Sequence, residues 1–122
     1  MNISDIDLLV ASLTVYGEAR GSTQADRTAV AHTILNRAKA GKWWGQGVAP
    51  YADHSIAAVC LKDWQFSCWN ANDPNFKLLS GLQKQYREAV KEKACRACIK
   101  AVIDAVDGFE PDMTMGATHY LT

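Results

Sequence analysis

A chain of 122 residues is most simply one domain, 1–122, large enough for a single real core, and a hydrophobic fraction of 48% fits a folded globule. Thirteen basic and thirteen acidic side chains cancel, which gives no electrostatic reason to expect nucleic acid or an anionic membrane as a partner. The apolar run over residues 8–15 is broken by Ser12 and Thr14 and falls far short of the ~20 residues a membrane span needs, and the first ten residues hold Asp5 and Asp7 but no Lys or Arg, unlike a secretory leader.

The first expected element is a helix over about residues 5–19. Ser4 makes an N-cap with Asp7 as a capping-box-like partner. Ile6, Leu9, Val10, Leu13 and Tyr16 then recur at helical spacing. Gly17 weakens the last turn, and Gly21 is the expected C-terminal stop. A second helix begins after Ser22 or Thr23, buries Val30, Ile34 and Leu35, packs closely through Ala25, Ala29, Ala31 and Ala38, and ends at Gly41. Residues 42–54, KWWGQGVAPYADH, read as a loop with adjacent aromatics. SIAAVCL is a short helix capped by Ser55.

Residues 62–76 read as irregular, with Asn, Asp and Pro clustered at 70–75. A long amphipathic helix is expected from about residue 82 to 106. Tyr86, Val90, Ala94, Ala97, Ala101 and Ala105 share its stripe, and Ile99, Val102, Ile103 and Val106 broaden it. Charges from Lys84 to Lys93 cover the other side, and Gly108 closes it. The tail, EPDMTMGATHYLT, holds turn signals and then a short extended or irregular piece. The sum is a mainly α, small single-domain protein with little or no β-structure, its unusual text lying in loops that a rigid scaffold would display.

The four cysteines are Cys60, Cys68, Cys95 and Cys98. The last two form CRAC inside a helical pattern, not at the strand-to-helix turn of a redox motif. Cys60 and Cys68 are spaced unlike a usual zinc-ligand pair. Buried, reduced, structural cysteines are the simplest reading; one disulfide or a shared metal are the alternatives.

Chemistry concentrates in three stretches. In TVYGEARGST, residues 14–23, Glu18 stands between two glycines beside Tyr16, where a helix is about to stop. A general acid that cleaves a glycosidic bond near neutral pH needs an apolar setting that keeps its proton, and Tyr16 and the preceding stripe could supply one. Arg20 works against this unless it points away, and the bland alternative is a solvated surface carboxylate. In WQFSCWN, residues 64–70, aromatics alternate with small polar groups. Phe66 and Trp69 offer flat faces for sugar rings, and Gln65, Ser67 and Asn70 offer hydrogen bonds at ring edges; alternatively the two rings are core anchors. Trp43 and Trp44 are candidates of the same kind, one of which could fold inward. GATHY, residues 116–120, offers Thr118, His119 and Tyr120. His119 is a general-base candidate or a structural histidine. A serine-hydrolase reading lacks the G-x-S-x-G elbow around Ser67, and a zinc-hydrolase reading of His32, His54 and His119 lacks the spacing.

YGEARG at 16–21, AVAHTILNRA at 29–38, QFSCWN at 65–70 and GATHY at 116–120, in that order, resemble the SleB-type cell wall hydrolases, the spore-cortex-lytic and phage-borne enzymes. The resemblance covers nearly the whole chain. It implies a lysozyme-like, mostly helical domain that cleaves the MurNAc–GlcNAc β-1,4 bond of peptidoglycan, usually as a lytic transglycosylase. It places the catalytic glutamate on Glu18; read from the three stretches themselves, Tyr16, Gln65, Phe66, Ser67, Trp69, Thr118, His119 and Tyr120 are the expected substrate-binding set. No metal and no cofactor are expected. A retaining or inverting hydrolase wants a second carboxylate, and Asp53, Asp63, Asp73 and Asp112 are scattered in loops and turns, whereas a transglycosylase manages with one. Gln65, Ser67, Thr118 and Tyr120 are the candidates to stabilise developing positive charge.

The sequence stops at Thr122, just after GATHY, where many relatives continue. With no leader and no separate wall-binding domain, the expectation is a monomer made in the cytoplasm that acts on peptidoglycan glycan strands in the envelope, without membrane insertion. A phage endolysin released through a holin, or a virion component, suits it better than a secreted germination enzyme. The rival readings are a hydrolytic lysozyme and a catalytically inactive glycan-binding or virion structural protein.

Overall fold

The computed structural model describes residues 3–62, 66–69 and 93–108, and singly 112, 114, 116 and 118. Helices dominate these residues and no strand occurs among them, as the sequence led us to expect. Helix α1 spans Asp5–Ala19, α2 Gln24–Ala40, α3 Ile56–Leu61 and α4 Lys93–Asp107. Two short 3-10 turns lie between them, Trp43–Gly45 and Ser67–Trp69.

Helix α1 is the centre of the fold. It packs against α2, α3, α4 and the 67–69 turn. Every residue from Val10 to Tyr16 is therefore buried, Ser12 and Thr14 included, rather than a single stripe. Ile6, expected on that stripe, is 40% exposed, one turn outside the enclosed part. The start follows the expected cap: Ser4 Oγ accepts the Asp7 N–H at 3.2 Å. The Asp7 carboxylate does not return to this cap. It accepts the Ala57 N–H at 2.9 Å, at the head of α3, where free N–H groups and the positive end of the helix dipole favour an anion. One acidic side chain thus locks two helix starts together.

The end of α1 differs from expectation. Gly21 is not a left-handed stop. Arg20 caps the helix in right-handed geometry with its N–H on the Tyr16 carbonyl, and the Ser22 N–H then reaches the Ala19 carbonyl to turn the chain into α2. Gly41 does close α2 as expected, at φ 67°. Thr23 and Ser55 cap α2 and α3 with their hydroxyls. Gly45, in the first 3-10 turn, is needed for close approach: a Cβ there would stand 3.0 Å from the His54 backbone.

Helix α4 lies on α1 and α2. Its buried face is Cys95, Cys98, Ala101, Val102 and Ala105. Ile103, expected to widen that face, is 39% exposed, because its position falls on the far side of a stripe centred on Cys98 and Val102. Gly108 ends the helix at φ 77°. The expected helical stretch 82–92, with Tyr86 and Val90, lies outside the described residues. All four cysteines are buried, and none of them is in a disulfide. Burial pushes the Cys60 thiol up to about 12, against the opposing hydrogen bond with Thr14. Among the described residues, no helix is long and apolar enough to cross a membrane.

Candidate active site

Glu18 stands on the last turn of α1 and is half-buried. Across from it lies the 67–69 turn, whose Cys68 N–H points at Glu18 Oε1 from 3.5 Å, the far edge of hydrogen-bonding range. The same turn grips α1 a second time. Trp69 Nε1 donates to Thr14 Oγ1 at 2.7 Å, and that hydroxyl donates onward to the Val10 carbonyl at 2.7 Å. Thr14 and Glu18 are four residues apart and share one helix face. Two adjacent residues of one loop therefore clasp two successive turns of the buried helix, and Glu18 is the outer clasp.

Most of the aromatic candidates are held inward. The Tyr16 ring is 4% exposed, and the Arg20 guanidinium lies 5.1 Å from its centroid. Phe66 is 1% exposed, a core anchor whose face is covered by Arg37 rather than presented outward. Trp69 is half-buried, with its indole N–H committed to Thr14. Of the Trp pair, Trp44 is the one that folds in, donating its indole N–H to the Arg37 carbonyl at 3.0 Å, while Trp43 stays 58% exposed. Ser67 opens the 3-10 turn. Gln65, His119 and Tyr120 lie outside the described residues.

The tail is fastened to the end of α2 by two consecutive residues. Asn36 Nδ2 donates to Asp112 Oδ2 at 3.0 Å, and Arg37 Nε donates to the Thr118 carbonyl at 2.5 Å. Asp112 also accepts the N–H groups of Thr114 and Gly116, and the Thr114 hydroxyl. Desolvation alone would raise its pKa, but the hydrogen bonds from Thr114, Asn36 and Gly116 outweigh it and hold the carboxyl well below the ordinary carboxylate range. Asp112 is thus a turn-former with both oxygens occupied. Asp53 likewise accepts the Gly47 N–H at 3.0 Å within its loop, and Asp63 and Asp73 lie outside the described residues.

Thr14, Asn36 and Arg37 join the site through contacts that their spacing in the chain does not announce. The signal for Thr14 was available: a hydroxyl inside an apolar run, one turn before the glutamate. Arg37 is 6% exposed, which nothing in a lone arginine near a helix end announces. Among the described residues, no group of three or more His, Cys, Asp or Glu is placed to hold a metal.

A half-buried carboxylate on a rigid helix end, faced by a short aromatic turn, defines a candidate acid–base site. The chain belongs to the cell wall hydrolase family, whose model matches residues 21–122, and that family places its activity in the degradation of peptidoglycan. The match begins at Gly21, three residues beyond Glu18. No curated protein and no solved structure matches the chain.

Proposed function

We propose that the protein is a lytic transglycosylase that cleaves the MurNAc–GlcNAc β-1,4 bond, with Glu18 as its one essential carboxylate. The observation that carries this reading is the seat of Glu18: the last turn of a helix whose middle, Val10 to Tyr16, is wholly buried, with the carboxylate half out of water and one oxygen facing a backbone N–H of the 67–69 turn. A rigid helix end fixes a proton donor better than a loop does.

In this reading Glu18 gives its proton to the glycosidic oxygen as the bond from MurNAc C1 breaks, and GlcNAc leaves with a free 4-hydroxyl. The resulting carboxylate then takes the proton of the MurNAc 6-hydroxyl while that oxygen bonds to C1. The product is a 1,6-anhydro end, no water is consumed, and Glu18 finishes protonated as it began. One group acting as acid and then base contributes roughly 10²–10⁴-fold at each role. Of the loop aspartates among the described residues, Asp53 and Asp112 are engaged in their own turns, which fits a single-carboxylate route.

Mass spectrometry of the soluble digest tests the route. Transglycosylation yields anhydro-muropeptides, each lighter by one water than the hydrolytic product. A digest made only of reducing MurNAc ends assigns the enzyme to the hydrolytic lysozymes instead.

A further inference from the structure

The Arg37 guanidinium is almost fully enclosed in three sets of contacts. Its Cζ lies 4.8 Å from the Phe66 ring centroid and 5.8 Å from that of Trp44. Its Nε donates to the Thr118 carbonyl at 2.5 Å. A planar cation can satisfy two aromatic faces and a carbonyl at once, and lysine cannot. Each contact leads to a different part of the site. Phe66 accepts the Trp69 N–H that closes the 67–69 turn, at 3.1 Å, and that turn carries the Cys68 N–H facing Glu18. Thr118 belongs to the tail motif. Trp44 roots the side chain in the first 3-10 turn, and its own indole N–H is bonded to the Arg37 main chain.

We propose that Arg37 is a positioning residue for catalysis: its guanidinium holds the Phe66 turn and the Thr118 tail in register, so that the 67–69 turn meets Glu18. This rests on Glu18 being the catalytic acid. Arg37 touches no reacting atom in this scheme. Its effect passes through Phe66, and a shift of about 1 Å at a reacting group costs on the order of 10²-fold in rate.

The experiment compares the wild-type chain with Arg37→Lys by kinetics on soluble peptidoglycan oligomers and by the indole N–H resonances in NMR, both well below the unfolding temperature. The Trp44 indole N–H reports α2 through its protection from hydrogen exchange, because its bond goes to the Arg37 main chain and survives the substitution. The Trp69 resonance reports the seat of the 67–69 turn on Thr14. The expected result is a Trp44 indole N–H still protected from exchange, a displaced Trp69 signal, and a kcat lower by roughly 10- to 100-fold with KM changed far less. An unmoved Trp69 signal or an undiminished kcat overturns the proposal. If Arg37→Lys does not fold, Phe66→Leu removes the ring and keeps the cation, and the same two readouts decide. A wild-type chain that releases no fragments defeats the functional reading itself, a separate outcome from an active Arg37→Lys enzyme.

Discussion

At the scale of single residues, the sequence is read most easily where chemistry is unusual and least easily where it is ordinary. Glu18 stood out because it sits among glycines and beside a ring. Arg37 and Asp112 did not, since a helix-end arginine and a turn aspartate are common, and only three-dimensional proximity gives them their work. The aromatics divided for a physical reason: Phe66 and Trp44 fill the space around a buried cation, which leaves Trp43 outside. Asp112 carries a pH signature. Its folded carboxyl titrates below the ordinary range, so its stabilisation is fully present above the unfolded value of about 4 and is lost as pH falls through the folded one. We expect Asp112→Asn to lower stability at pH 7 by about 1–2 kcal/mol and to flatten the acid limb of the stability profile. Denaturant unfolding from pH 7 down to pH 3 measures both. An unchanged acid limb in the variant removes Asp112 as the titrating group.

At the scale of elements, most caps and the centre of each buried stripe were legible, and the full extent of burial was not. Ser4, Thr23, Ser55 and Gly41 act at the helix ends where the text put them, because a cap is a local event between residues three or four apart. Gly21 misled because a neighbouring element, not a glycine, turns the chain: Arg27 reaches back to the Arg20 carbonyl at 2.6 Å and steadies the corner. The stripe drawn on α1 was too narrow for a similar reason, since periodicity tells which residues share a face but not how many neighbours surround the helix. Thr14 is the element-scale link, a fully buried hydroxyl that accepts the Trp69 N–H beneath Glu18. Thr14→Val keeps the shape and deletes the acceptor, leaving a part-buried indole donor unpaired. Chemical denaturation should show a loss of about 1–3 kcal/mol. A midpoint equal to wild type means that the 67–69 turn does not depend on this bond.

At the scale of the whole molecule, the helical class was legible from composition and period, and the membership in the cell wall hydrolases from motifs strung along the chain. What a linear text could not supply is the way distant stretches meet. The 67–69 turn closes on α1, and the tail closes on α2, through hydrogen bonds between residues more than fifty positions apart. The result is a core helix that ends in a carboxylate, with two loops fastened around its neighbourhood. The same arrangement makes the central claim simple to test. Glu18→Gln keeps the size of the side chain and its Oε1 acceptor but removes the proton it would give and take. Muropeptide release from purified peptidoglycan, measured by chromatography beside a circular dichroism check of the fold, should fall by at least about 100-fold in this variant with its helical signal intact. Release at the wild-type rate from a folded Glu18→Gln protein contradicts the account.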